Sequence, residues 1–391
     1  MLDYFCKLGE HLERAWDNAG RDEDSFSDVA AAALRALPPD RDLDLEKLVD
    51  AVLDPAVPAP LQLAPPGVFG QPGVTVFRGR GYLVEVYFWQ QSISAIHDHP
   101  FCGAFTVLQG FSVEAVYRFE TREDFGPRAR LGSLSLESLA LVEAGHVGVF
   151  GQRKHALIHA LLHVQVPTVS LVVRTERADG YLRYFPPGVA LAMDSPAETF
   201  ERPMQLLDTL RVSGAPSYPR RFEAFLRNAD FETAFRILSR TWFRLTEPER
   251  ETWLKVAREH HGKHVDMIRQ ALERAEVDYA ADMLRQRLMD SDQRFIATAL
   301  LLADNRRELL GLLAARHPDP LERLHRFVDE PGVFAADEAA SAMIAHVLID
   351  GGDAGEAVNR LVAVFGREAI SGREEEIRAF HTACAFACCA A

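Results

Sequence analysis

Cysteine is scarce in this chain, basic charge is outnumbered, and no long apolar run occurs. Each shortage removes a class of protein. Five cysteines in 391 residues, Cys6, Cys102, Cys384, Cys388 and Cys389, are few and odd in number. They form no disulfide framework and match the usage of a reducing cytoplasm, which is the expected location. Lysine and arginine total 43 against 57 aspartates and glutamates, a formal net charge of -14. Nucleic acid and anionic membrane both require a basic face, so neither is expected as a partner. No stretch approaches the roughly 18 consecutive apolar residues of a membrane span. The start, Met1-Leu2-Asp3-Tyr4, lacks the basic residues and apolar run of a secretory signal, so none is expected.

Composition otherwise suits a globular enzyme or binding protein. Hydrophobic residues make up 48% and charged residues 26%. The length favours more than one domain. Residues 1–54 look helical. Asp28 to Leu37 is rich in alanine and leucine, Pro38-Pro39 ends it, and a second helix is expected over Leu43 to Leu53. Pro55, Pro58, Pro60, Pro65 and Pro66 then mark a linker. Residues 73–190 change to short runs of Val, Phe, Tyr and Leu broken by glycines. Val74 to Phe77, Tyr82 to Trp89, Phe105 to Leu108, Ser112 to Phe119 and Thr168 to Arg174 read as strands of a barrel or sandwich. Residues 200–391 return to helix, with amphipathic segments at Thr233 to Phe243, Val265 to Leu288, Phe295 to Ala303 and Ala335 to Leu348. Asn228-Ala229-Asp230 and Gly351-Gly352-Asp353 read as turns or caps between them.

The chemistry concentrates in His97-Asp98-His99-Pro100-Phe101-Cys102-Gly103 and the following Leu108-Gln109-Gly110. Residues two apart on a strand face the same way, so His97 and His99 point together and share one metal. Imidazole suits iron, zinc, copper or nickel. A third ligand is available in the run His155, His159, His163, whose four-residue spacing puts all three on one face of an extended strand.

This pattern resembles the first motif of the cupin superfamily: a histidine pair, a short gap, a glutamate, six residues and a glycine. Gly103 stands at the glutamate position, Gly110 at the closing glycine, and Gln91 where the motif begins with glycine. A three-histidine set without the acidic ligand is similar to the thiol dioxygenases, the cysteine dioxygenase family, over about residues 28–190. The resemblance implies a cupin-type β-barrel (double-stranded β-helix) with N-terminal helices; it does not reach the C-terminal half, where the helical pattern adds a separate all-α C-terminal domain, so the expected class is α+β. It implies His97, His99 and His159 as ligands of Fe(II) or another divalent transition metal, with His155 the alternative third ligand. It further implies His155 and His163 as proton-handling groups, and Arg78 or Arg80 as the cation for a substrate carboxylate. Where the family carries Ser, His and Tyr on its last strand, this chain has Ser170, Val172 and Arg174. Tyr184 is then the candidate tyrosine, and Arg174 a second candidate for an acidic substrate. Cys102 should point away from the site.

The expected function is a non-haem iron oxygenase that acts with dioxygen on a small polar, carboxylate-bearing metabolite, a thiol such as cysteine in the first instance. Two alternatives stand beside it. One is a cupin oxidase or lyase on a non-thiol metabolite of specialised metabolism. The other is a non-catalytic ligand sensor whose C-terminal helices contact a partner protein. His260 and His264 also have metal-like helical spacing, although their charged surroundings fit a solvated helix end better. Cys384, Cys388 and Cys389 offer a soft-metal or redox site, or more simply a helix packing face. Trp242, Phe243 and Trp253 are expected as core aromatics.

Overall fold

Strands form where β-branched and aromatic residues displace alanine. The computed structural model describes residues 2–39, 45–54, 72–90, 95–176, 180–335 and 338–390. The proline-rich linker and Gln91 lie outside the described residues. The strands are β1 (Gly73–Arg78), β2 (Tyr82–Trp89), β3 (Ile96–His97), β4 (Gly103–Gln109), β5 (Phe111–Asp124), β6 (Ala129–Glu143), β7 (Val147–Phe150), β8 (Ile158–His163), β9 (Thr168–Thr175), β10 (Leu182–Phe185) and β11 (Val189–Ala192). One sheet runs β1-β2-β9-β4-β7, and a second closes on itself as β10-β11-β6-β5-β8-β3. The pairings within both are antiparallel. From β3 to β10 the chain passes repeatedly between the sheets, so residues distant in sequence meet in the space between them.

Alternation along each strand assigns its two faces. The first sheet turns Val84, Val86, Ala104, Leu171 and Val173 outward against helices α1 (Leu2–Asn18), α2 (Glu23–Ala36) and α3 (Leu45–Leu53). Tyr82 ties the two layers together, its hydroxyl donating to the Gly9 carbonyl at 2.7 Å. Cys102 lies in this outer core. The opposite face carries Tyr87, Phe105, Val107 and Val172, which meet Val142 and Phe150 in a small apolar core with Leu161 at its edge.

The C-terminal half is helical, and it corrects one expectation. Instead of closing a core of their own as a separate all-α domain, the helices share theirs with the barrel. Val113, Ala115, Tyr117, Ala160, Leu162 and Tyr184 belong to one cluster with Phe295, Leu300, Leu309 and Phe327. Ala129, Leu131, Val189 and Leu191 belong to another with Phe222, Phe235, Leu238 and Trp242. The second sheet is apolar where helices cover it, over the face that carries Tyr184 and, at the β10–β11 hairpin, over the opposite face that carries Leu191. Asp230 and Asp353 cap their helices as expected, accepting from Thr233 N and Glu356 N at 2.8 Å each. No described helix is long and apolar enough to cross a membrane.

Candidate metal centre

Register builds the site. In the second sheet β3 lies between β10 and β8, with His97 directly opposite Arg183 on one side and His159 on the other. Directly opposed residues of antiparallel strands share a face. Arg183, His97 and His159 therefore form one row. His99 follows two residues later, in the connection into β4, and swings back to complete a triangle. Ring centroids of His97, His99 and His159 stand 5.0, 5.0 and 4.9 Å apart. Each ring offers a nitrogen within 4.8 Å of the other two. Among the described residues no other three His, Cys, Asp or Glu side chains converge in this way.

The hydrogen bonds free nitrogens toward the centre of the triangle. His97 Nδ1 lies 2.9 Å from the Ala95 carbonyl, which only accepts, so Nδ1 carries the proton and Nε2 keeps its lone pair. His159 Nδ1 donates to Glu114 Oε1 at 2.7 Å, again leaving Nε2 as a donor atom for a metal. A carboxylate behind a ligating imidazole fixes its tautomer and raises its basicity. His99 Nδ1 is buried with no hydrogen-bond partner, and a ligand to a cation would satisfy it. The His99 ring stacks on Phe150 at 4.6 Å, with Phe101 at its edge. Burial, reinforced by the neighbouring His159 imidazole, pushes His97 down to about 4 and His99 well below the usual histidine range. Both therefore stay neutral, the state in which imidazole ligates. The donor set thus fits a divalent transition metal.

Glu114 was not among the sequence candidates. Its signal is faint: an acid inside the apolar strand Phe111 to Tyr117, in phase with Ser112 and Val116 and out of phase with Val113 and Ala115. Glu114→Gln is expected to weaken metal binding by roughly 10- to 100-fold while leaving the thermal melt of the apoprotein nearly unchanged. Competition with a chromogenic chelator measures this.

Gly103 explains the missing acidic ligand. A Cβ there would stand 2.1 Å from the Val173 carbonyl oxygen and 2.8 Å from the Phe150 ring, so no side chain fits. Gly110 turns β4 into β5 with φ +82°, and a Cβ would press on Thr168.

The remaining candidates fall in different places. His163 lies on the same strand face as His159 but beyond the triangle, bonded through Nδ1 to Ser112 Oγ at 2.8 Å and stacked on Trp89 at 4.1 Å. Burial pushes it down to about 3. His155 lies outside the barrel, 2.9 Å from Asp28 of α2, and the alternative that makes it the third ligand or a proton carrier is corrected. It precedes β8, so strand alternation does not reach it. Tyr184 is opposite Ile96, hence on the face away from His97, where its hydroxyl donates to Asp98 at 3.0 Å. Asp98 also accepts from Leu182 N at 2.6 Å, so the pair locks β10 to the histidine segment from behind. A catalytic Tyr184 is corrected on that ground.

Arg78 and Arg80 are at the outer hairpin, Arg78 on Glu176 at 2.7 Å and Arg80 on Asp17 at 2.9 Å, well away from a substrate at the triangle. Both carboxylate-binding roles are corrected. Arg174 does face the space between the sheets, but Glu85 takes its guanidinium at 2.7 and 3.3 Å, and Tyr87 donates to Glu85 at 2.8 Å. His260 and His264 do not converge with a third ligand: His264 pairs with Glu123 at 2.7 Å. Cys384 and Cys389 are buried in the helical core with Cys388 beside them. Trp242 is buried in the helical core, whereas Phe243 is largely exposed.

No family model matches the chain, and no curated protein matches it. Among solved structures, a hydroquinone 1,2-dioxygenase in complex with Cd2+ and 4-hydroxybenzonitrile aligns at 14% identity. That alignment covers 28% of this chain and 66% of the other, with a TM-score of 0.22. An oxalate oxidase aligns at 18% identity over 38% of this chain and 65% of the other, TM-score 0.19. DMSP lyases align at 14% identity over 26% and 44%, TM-score 0.17. The chain spans less than two thirds of each of these neighbours, and overlaps this partial carry neither fold nor activity across.

Proposed function

We propose that this chain is a metal-dependent oxidoreductase of the cupin type, holding Fe(II) through His97, His99 and His159 and acting with dioxygen on a small carboxylate-bearing metabolite. The convergence of three imidazoles, one backed by the partly buried Glu114, carries the proposal. A histidine pair entering one crossing between two antiparallel sheets, with its partner on a later strand, supports the cupin assignment. Three protein ligands leave coordination positions at which iron would bring substrate and dioxygen together.

The chain's own contribution is preorganisation. Glu114 and the Ala95 carbonyl hold two imidazoles in fixed tautomers. Phe101 and Phe150 wall the triangle, and Tyr87 lines the space between the sheets, limiting water. Trp89 donates to Ser170 at 2.8 Å and stacks on His163, stiffening the same inner face.

Metal analysis of protein purified without added metal is expected to find a divalent transition metal near one per chain. The iron form should consume dioxygen only when its substrate is present. Small thiols such as cysteine are the first compounds to screen, followed by non-thiol acids. Uptake with a non-thiol acid alone would make that acid, and not a thiol, the substrate class. An absence of any bound metal after anaerobic reconstitution would overturn the proposal.

A further inference from the structure

We propose that Arg183 is the anion anchor of this site, receiving the carboxylate of a substrate whose apolar part lies in the cavity between the β10–β11 hairpin and the C-terminal helices. This rests on the metal-centre proposal and deepens it, because it names the class of substrate: a monocarboxylate with an aromatic or aliphatic tail.

Three observations converge on Arg183. The first is the register: it is directly opposite His97, on the same face, in the row that continues to His159. An anion bound there sits beside the metal ligands.

The second is its lack of a counter-ion. Among the described residues no carboxylate meets Arg183, and its guanidinium lies over the Phe185 ring at 4.8 Å. Its neighbours are all engaged. Arg236 binds Glu232 at 3.0 Å, Ser195 Oγ at 3.0 Å and the Ala192 carbonyl. Arg240 binds Glu201 and Asp208. The acids nearby are likewise taken: Asp278 by Arg274 and Asp282 by Arg285. Burial and the neighbouring Arg236 both work against the charge of Arg183. A cation desolvated without a partner is costly, and an incoming carboxylate would relieve it.

The third is the space available. A cavity of about 500 Å³ opens at Arg183, lined on its apolar side by Phe185, Leu191, Phe200, Phe235 and Leu272. Its helical wall comes from the helices Phe231–Thr241 and His264–Arg287. A volume of this order, with one apolar side and a charged side on which, among the described residues, Arg236, Arg240, Asp278 and Asp282 are already paired and Arg183 is not, is what a small amphipathic acid requires.

The test is calorimetric titration of the metal-reconstituted full chain with 3-phenylpropionate and with 3-phenylpropionamide, its neutral isostere. Metal content is measured on the same samples. The wild type is expected to bind the acid at least about tenfold more tightly than the amide. Arg183→Gln should lose that preference with metal content unchanged, and Arg183→Lys should recover part of it. Equal binding of acid and amide by the wild type, or no binding of the acid, overturns the anchor without recourse to any variant. So does an Arg183→Gln protein that keeps the preference. A wild type that discriminates acid from amide but holds no metal supports the anchor and overturns the metal-centre proposal instead.

Discussion

His99→Ala is expected to strip the metal from this protein. The triangle offers three imidazoles, and two rarely retain a transition metal against dialysis. The loss should therefore exceed the roughly 10- to 100-fold expected of Glu114→Gln, which only disturbs the support behind a ligand. His97→Ala and His159→Ala should behave alike, since each supplies one corner. His155→Ala is the internal control. Its ring is spent on Asp28 at the surface of α2, so full metal content should survive. Elemental analysis after reconstitution and exhaustive dialysis reads all four. A melt of each apoprotein guards against simple unfolding, because His99 also fills space against Phe150. Full occupancy in His97→Ala or His99→Ala would remove the basis of the site.

How much of this was visible beforehand depends on whether the information is local. His97 and His99 were legible because a two-residue spacing speaks directly about one face of the chain. The order helix, strand, helix was legible from composition, and so were the caps at Asp230 and Asp353. The choice between His155 and His159 was not a matter of spacing. Four residues preserve the face of a strand only while the strand lasts, and β8 begins at Ile158. Strand β6 gives a weak signal. Its leucines and serines have little β preference, and a bulge at Glu137, opposite Val116/Tyr117, interrupts the alternation.

Glu114 and Arg183 were hidden for a different reason. Each owes its place to a cross-strand register between segments far apart in sequence, and a single sequence does not specify that register. The converse applies to Arg78, Arg80, Arg174 and Tyr184. Motif position brought them forward, but their partners in space, Glu176, Asp17, Glu85 and Asp98, assign them to structure.

Cutting the chain after residue 195 is expected to destroy the barrel. A barrel of this size would fold alone if the surfaces its helices cover were polar, but here they are apolar. Val113, Ala115, Tyr117 and Leu162 in one cluster, and Leu131, Val189 and Leu191 in the other, are buried beneath or beside helical residues that the truncation removes. Burying one large aliphatic or aromatic side chain contributes about 2 kcal/mol. Exposing half of these would cost about 7 kcal/mol, comparable with the roughly 5–15 kcal/mol by which a domain is stable. Polar ties go too: the partly exposed Arg128 holds the buried Glu232 at 2.9 Å, and Arg236 grips the carbonyls of Ala192 and Asp194 at the end of β11. The 1–195 fragment should therefore appear in the insoluble fraction, or bind a hydrophobic dye and melt without cooperativity. Size-exclusion chromatography and a thermal melt decide it. A fragment that stays monomeric, melts sharply and holds its metal would show that the helices are an independent module, and would also remove the wall of the Arg183 cavity from the substrate site.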